Sequence, residues 1–141
     1  MRTVLNDIWT QLKTKVEGVS TIASVYDYPV DNISEYPSAV ILLSTMDSQA
    51  QTLSDDIENY SFTIFVASPV DQSTMHNVYR TIMAQVYDDL KDAIDGDWEM
   101  PNVSGSYRAW ADVASADYGV YDSEKGMLAM LQVTVNVRLV I

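Results

Sequence analysis

Apolar and polar residues alternate over the last eleven positions of the sequence up to Val140, where the polar series ends. Every odd position of residues 131–141 is Leu, Val or Ile, and the even positions up to Arg138 are Gln132, Thr134, Asn136 and Arg138 itself. A period of two predicts a strand with one face in the core and the other in water or against a partner. A second run, residues 57–67, predicts another strand with one apolar face, formed by Tyr60, Phe62, Ile64 and Val66.

Two helices are predicted where apolar residues recur every three or four positions. The first begins at Thr3 or Leu5 and ends near Gly18. The second follows the capping residues 71–73, ends at Gly96 and carries an apolar stripe of period four at Val78, Ile82, Val86, Leu90 and Ile94. At about 22 residues this helix is roughly 33 Å long, so we expect it to lie across a sheet.

The remaining strands are predicted from shorter apolar and β-branched runs. They cover residues 21–28, 38–45, 107–114 and 116–121. The run at 38–45 is almost continuously apolar, which predicts a central strand covered on both faces. The polar stretch 46–56 is longer than a tight hairpin requires, and we interpret it as a long β-arm or an exposed loop.

The order of elements is therefore α-β-β-β-α-β-β-β. It predicts an α+β fold in which two helices pack against a mostly antiparallel mixed sheet. The length of 141 residues is that of one domain, and no repeat or linker divides it, so we expect a single domain over residues 1–141.

Acidic residues dominate the charged positions. Twenty Asp and Glu stand against eight Lys and Arg, which gives a formal net charge of −12, and residues 16–79 contain no Lys or Arg. Such a surface repels nucleic acid and anionic membranes, so it argues against DNA binding. No apolar run is long enough to span a bilayer, and the N-terminus lacks the apolar stretch of a signal peptide. We therefore expect no membrane association.

Candidate catalytic and metal-binding groups are sparse. The absence of Cys excludes disulfides, thiolate zinc sites and iron–sulfur clusters, and the single histidine, His76, excludes a multi-His metal centre. The carboxylate pair Asp88-Asp89 falls beside an apolar helix stripe, which is typical of a solvated helix edge. Asp95-Gly96-Asp97 imitates the start of a calcium loop, but Trp98 and Met100 occupy the next ligand positions. We expect no enzyme activity, no metal and no cofactor.

The sequence as a whole resembles a family of virus assembly proteins. After the first helix come a Tyr-Asp strand at residues 25–28, a YPSAVI strand at 36–41, an acidic arm, a YSFTIFV strand at 60–66, a long amphipathic helix and a terminal alternating strand. This order resembles the tail terminator (tail completion) proteins of lambda-like long-tailed phages and related neck proteins.

The resemblance implies a hexameric ring in the tail or neck of the virion, assembled in the host cytoplasm. Such a ring caps the tail tube, stops its polymerisation and offers its other face to the head-completion or neck protein. DNA passes through its centre without specific binding. The expected partners are further copies of the chain, the tail tube protein and the head-side protein.

Two sets of residues are candidates for this assembly. Six chains carry a formal charge of −72, and carboxylates that line a channel let DNA slide. The candidates for a lumen or tube-facing surface are Asp47, Asp55, Asp56 and Glu58. The candidates for the subunit interface are the aromatic residues Trp110, Tyr118 and Tyr121 and the polar stripe Gln132, Thr134, Asn136 and Arg138.

Three other interpretations of the sequence remain open. The nearest is a head–tail neck adaptor or a tail-tube-like subunit. The more distant ones are an acidic inhibitor that mimics DNA, which would bind a basic partner as a monomer or dimer, and a small metal-dependent enzyme with a carboxylate site.

Overall fold

The computed structural model describes residues 4–29, 33, 35–50, 56–71, 73–96, 99–100, 108–123 and 126–140. Helix α1 spans Val4–Glu17. A second helical stretch is continuous and consists of α2 (Met75–Thr81), a π-helical segment (Ile82–Val86) and α3 (Tyr87–Asp95). The strands are β1 (Ser24–Tyr26), β2 (Ser38–Ala50), β3 (Asp56–Val70), β4 (Arg108–Ser123) and β5 (Gly126–Val140).

The five strands form one sheet in the order β1-β2-β3-β5-β4. Strand β1 is parallel to β2, and the other three pairs are antiparallel. The α+β class, with two helical stretches against a mostly antiparallel mixed sheet, is therefore confirmed.

The ladders align so that rows of paired residues cross all five strands. One such row joins Tyr26, Val40, Phe65, Gln132 and Asp117. Because this row reaches both edge strands, β1 and the second half of β4 lie at the same height on opposite edges of the sheet.

Both helical stretches pack on one face of the sheet, here called the core face. Ile8, Leu12 and Val16 of α1 are fully buried in one cluster with Phe62 and the odd-numbered residues of β5 from Leu131 to Leu139. The predicted alternation of β3 and β5 is confirmed at these positions. Each large apolar side chain buried in this way stabilises the fold by about 1.5–3 kcal/mol. None of the described helices has the length and hydropathy to cross a bilayer.

Two predicted strands are in fact one. Residues 107–114 and 116–121 were expected as separate strands, but β4 runs without interruption through both. The register with β5 shifts between Val113 and Ser115. The irregularity is a β-bulge at Ala114, where one extra residue enters β4, so the side-chain pattern changes phase without ending the strand.

The arm between β2 and β3 follows the first of its two interpretations. Strand β2 continues to Ala50 and β3 begins at Asp56, with Asp47 paired to Asn59 across the two strands. The polar stretch is therefore a long β-arm up to those residues, and the tip, residues 51–55, lies outside the described residues.

Among the described residues, only one face of β2 is covered by helices, and there the prediction of cover on both faces was wrong. Its Val40 and Leu42 side chains are partly buried on the face opposite the helices. Val40 is paired there with the partly buried Phe65. The apolar run therefore reflects contact between neighbouring strands on that face.

The π-helical segment explains the period of four in the second helix. In an α-helix, steps of four residues advance about 400°, so a stripe of that period drifts by roughly 40° at each step. A π-turn holds more residues per turn and corrects this drift. Ile82, Val86, Leu90 and Ile94 are accordingly all fully buried.

Candidate assembly surface

The sheet face opposite the helices, here called the open face, carries most of the predicted interface residues. On β5, Gln132 and Thr134 are partly buried, and Asn136 and Arg138 are exposed. Trp110 of β4 pairs with Arg138 across the ladder and therefore lies on the same face. The polar stripe predicted from the alternation is thus a continuous surface.

A groove of about 840 Å³ lies on this part of the molecule, close to the β-arm. Its lining includes Thr45, Asn59, Trp110, Asp112, Asn136 and Arg138. Amide, hydroxyl, carboxylate and guanidinium groups line it together with one indole ring, which is a composition suited to a protein contact.

Tyr121 also lies on the open face. Its ring lies over Gly119, where a Cβ atom would approach the ring to 3.1 Å. Half of the Tyr121 side chain is exposed. The absence of a side chain at Gly119 therefore lets the ring lie along the strand.

Tyr118 lies on the core face, unlike the other six interface candidates. Its ring packs edge to face against that of Tyr79 in α2, with 4.8 Å between the ring centroids. The extra residue at the Ala114 bulge reverses the facing of every later position in β4, so Tyr118 points away from Trp110. Desolvation, and to a smaller extent the neighbouring Tyr79, raises the pKa of Tyr118.

The acidic candidates belong to the β-arm. Glu58 is partly buried and accepts a hydrogen bond from the Tyr60 hydroxyl group. The backbones of Asp47 and Asp56 pair across the arm with Asn59 and Ala50. Asp55 lies outside the described residues, as do the side chains of Asp47 and Asp56.

The candidate catalytic and metal-binding residues are dispersed. His76 is exposed in the first turn of α2, and Asp88 and Asp89 are exposed on α3. Within the described part of the chain, no three His, Asp or Glu side chains come together as a possible metal site. Asp95 accepts a hydrogen bond from the backbone N–H of Val113 at 2.8 Å.

Asp71 anchors the start of the second helical stretch. One carboxylate oxygen accepts the backbone N–H groups of Ser73 and Thr74, each at 2.9 Å, and the Ser73 hydroxyl at 2.6 Å. These hydrogen bonds, above all that of the Ser73 hydroxyl, lower the pKa of Asp71. Asp71 therefore holds the turn that leads into α2, whose N-cap position is Thr74. Of the predicted capping residues 71–73, Gln72 lies outside the described residues.

Groups from outside the sheet bond to the backbone of β4 and β2. On β4, the Val113 N–H donates to the Asp95 carboxylate. Four residues earlier in the same strand, the Ala109 carbonyl accepts the Met100 N–H at 3.1 Å. On β2, the Trp9 indole N–H donates to the Ile41 carbonyl at 3.3 Å. Sequence reasoning missed these roles, because neither the place of Trp9 in the first helix nor that of Asp95 at the start of the calcium-like turn indicates a partner in a strand.

Comparison with known proteins gives one informative result. No family model matches the sequence, and no curated protein matches it. Among solved structures, a chain from the virion of a native gene transfer agent particle has a similar fold, with a TM-score of 0.56 and 12% sequence identity. The similarity covers 96% of this chain and 96% of that one. The chain therefore shares, over almost its whole length, the fold of a chain found in a virion particle.

Proposed function

We propose that this chain is a structural protein of a phage-like virion and acts in the tail or neck as a ring, with six copies as the expected number. The ring caps the tail tube, stops its growth and provides the surface that the head-side protein joins. The observation that carries the proposal is the similarity over 96% of both chains to a chain of a gene transfer agent virion.

The open face of the sheet supports an assembly role. The open face presents Trp110 and a polar stripe along β5 with no described helix packed over them. An assembly protein needs such a surface to hold its neighbours, because each subunit of a ring offers two different contact faces.

The acidic arm supports the placement of the lumen. A ring of six chains carries a formal charge of −72, and carboxylates on its inner wall repel phosphates so that DNA passes without binding. We assign Asp47, Asp55, Asp56 and Glu58 to the lumen or the tube-facing surface.

The lumen assignment predicts the effect of charge reversal. Replacing Asp55 and Asp56 together with Lys creates cations that hold phosphates, so we expect fewer infectious or DNA-transferring particles at normal protein levels. The matched control is replacement of Asp88 and Asp92 with Lys, since both are exposed on α3. A full titre with the arm variant would contradict the assignment.

The whole proposal is tested by electron microscopy of the purified protein mixed with tail tubes grown from the tube protein of the same particle. We expect rings at one end of each tube and no further growth of capped tubes. Rings built into the neck without capping would indicate an adaptor, and incorporation along the tube would indicate a tube-like subunit. A monomer that binds a basic nucleic-acid enzyme, or that turns over a substrate with a divalent ion, would overturn the proposal.

A further inference from the structure

Each sheet edge has a part with which no strand among the described residues pairs. In the first part of β4, Asp95 bonds to Val113 and Met100 bonds to Ala109. No strand among the described residues pairs with the outer side of residues 116–123. At the opposite edge, β1 likewise has no described strand on its outer side. Uncovered edges are templates for pairing with another chain, and they are normally blocked by Lys, Pro or a covering element. Residues 116–123 contain neither Lys nor Pro.

The exposed apolar side chains lie along these two edges. Among the described residues, the large hydrophobic side chains that are exposed are five in number. Val120 and Tyr121 are in the part of β4 with which no described strand pairs on the outer side, and Tyr79 packs against Tyr118 beside it. Tyr28 lies two residues after β1 and Tyr36 two residues before β2. Both edges therefore have apolar borders, as the two sides of one contact would.

The backbone of β4 points its hydrogen-bonding groups toward this edge at alternate residues. The Val113 N–H and the Ala109 carbonyl both face outward, since they bond to Asp95 and Met100. Ala109 and Val113 pair with Leu139 and Val135, which are odd-numbered residues of β5 on the core face. Beyond the bulge, Tyr118 pairs with Leu131, another odd-numbered residue of β5. The N–H and C=O of Tyr118 therefore also face outward.

The backbone of β1 is oriented to match. The Ile41 carbonyl faces away from β3, since it accepts the Trp9 bond, and Ala39 shares this direction. In a parallel ladder these two residues bond to Ser24 and Tyr26 of β1. At the start of β1 the Pro37 carbonyl accepts two bonds, from the Ala23 N–H at 2.8 Å and from the Ser24 N–H at 3.4 Å. Val25, between Ser24 and Tyr26, is left with its N–H and C=O facing outward.

The outer edges of β1 and β4 therefore match in their position along the sheet, in their antiparallel strand direction and in the facing of their backbone N–H and C=O groups. Val25 and Tyr118 occupy the same row of the sheet, and so do Tyr26 and Asp117. Strand β1 runs opposite to β4, because β1 is parallel to β2 and three antiparallel steps lead from β2 to β4. A second copy placed edge to edge would meet β4 with an antiparallel strand in register, its Val25 opposite Tyr118.

We propose that β1 of a second copy of this chain adds to residues 116–123 of β4, so that the sheets of neighbouring subunits continue into one another. The contact joins two different edges, so it is heterologous and each subunit uses both of its edges. This inference names the contact that builds the proposed ring, and therefore rests on that ring for its biological purpose.

Disulfide trapping tests the register directly, because the chain has no cysteine of its own. In the proposed contact, Tyr26 of one copy faces Asp117 of the next at the Cα separation of about 4.5 Å of a non-hydrogen-bonded pair, within the limit of about 7 Å for a disulfide. The double variant Tyr26→Cys/Asp117→Cys should form a ladder of covalently linked subunits under mild oxidation. The ladder should end at the size of the closed ring.

The control variant is Tyr26→Cys/Asp112→Cys. Asp112 pairs with Asn136 and Asp117 with Gln132, so the control thiol is four β5 residues, about 13 Å, from the proposed partner. It should give no ladder. The single variants Tyr26→Cys and Asp117→Cys should each remain unlinked alone and give only dimers when mixed, because each then supplies one side of a heterologous contact.

Failure of the inference differs from failure of the proposed function. Rings that form without the Tyr26–Asp117 cross-link, equal linking in the control, or homodimers of a single variant would overturn the inference and leave the ring function standing. A chain with native circular dichroism that stays monomeric to about 0.5 mM would also overturn it. A specific ladder from a protein that does not bind tail tubes would support the contact and refute the capping function.

Discussion

The hydrogen bond from Val113 to Asp95 offers a sharp test of how the helical stretch holds the edge of the sheet. Asp95 is the last residue of α3, and its carboxylate accepts the Val113 N–H at 2.8 Å in a partly buried setting. The bond falls beside the Ala114 bulge, where β4 loses its regular pairing with β5. Replacing Asp95 with Ala removes the carboxylate, so the Val113 N–H loses this hydrogen bond.

The magnitude combines two opposing effects. A hydrogen bond to a charged group stabilises a protein by about 1.5–3 kcal/mol. A carboxylate at a helix C-terminus interacts unfavourably with the helix dipole, so its removal raises the free energy of unfolding by about 0.3–1 kcal/mol. We therefore expect Asp95→Ala to lower the free energy of unfolding by about 0.5–2.7 kcal/mol. For a chain of this length that corresponds to a fall in Tm of roughly 2–10 °C.

Two variants isolate the bond. Asp95→Asn keeps an acceptor and removes the charge, so its stability should fall by less than about 1 kcal/mol. Asp92→Ala removes an exposed carboxylate one turn earlier on the same helix and should change stability by no more than about 0.5 kcal/mol.

Urea unfolding followed by circular dichroism measures these differences. The protein concentration must be low enough to hold the chain in one association state, because assembly would add to the apparent stability. If Asp95→Ala unfolds at the same urea concentration as Asp92→Ala, the bond does not hold the edge and the reasoning is refuted.

Three further outcomes follow from the core, the helix start and the charge. Phe62 is fully buried and packs edge to face on Trp9, with 5.8 Å between the ring centroids, so Phe62→Ala should cost about 3–5 kcal/mol in urea unfolding. A loss near that of the exposed control Asp92→Ala would contradict the core assignment. The folded state lowers the pKa of Asp71, so this residue stabilises the fold above its unfolded pKa and its contribution falls as pH drops through the lower, folded value. Unfolding of the parent and of Asp71→Asn at successive pH values should therefore differ most near neutrality and converge in acid, and a constant difference would be incompatible with this. Chains of net charge −12 repel one another, so added salt should shift sedimentation toward the oligomer, whereas dissociation by salt would show that ion pairs dominate the contact.

The regular parts of the fold could be predicted from the sequence because their periods are local. Phe62 and Ile64 of β3, and Val133 and Val135 of β5, fall on one face by counting in twos, and all four are fully buried. The second helix was predictable for the same reason, and the period of four in its stripe already departed from an ideal α-helix. Only the structure shows that a π-helical segment absorbs the departure.

The candidate surface was harder to predict because one extra residue changes the facing of a strand. Trp110 and Tyr118 are eight positions apart, which would place them on one face of a regular strand. The bulge at Ala114 separates them, and nothing local to the sequence marks it. The match in height between Val25 and Tyr118 depends on four successive strand registers, so no single segment of sequence contains it.

The mass of the purified chain in solution, measured by light scattering on a size-exclusion column, tests the central claim that it acts by assembling with itself. A closed ring of six chains of 15.8 kDa has a mass of about 95 kDa, and the account predicts that species or another discrete closed oligomer at high protein concentration and moderate salt. A species of about 16 kDa at every concentration and salt level, joined by catalytic turnover of a substrate, would contradict it.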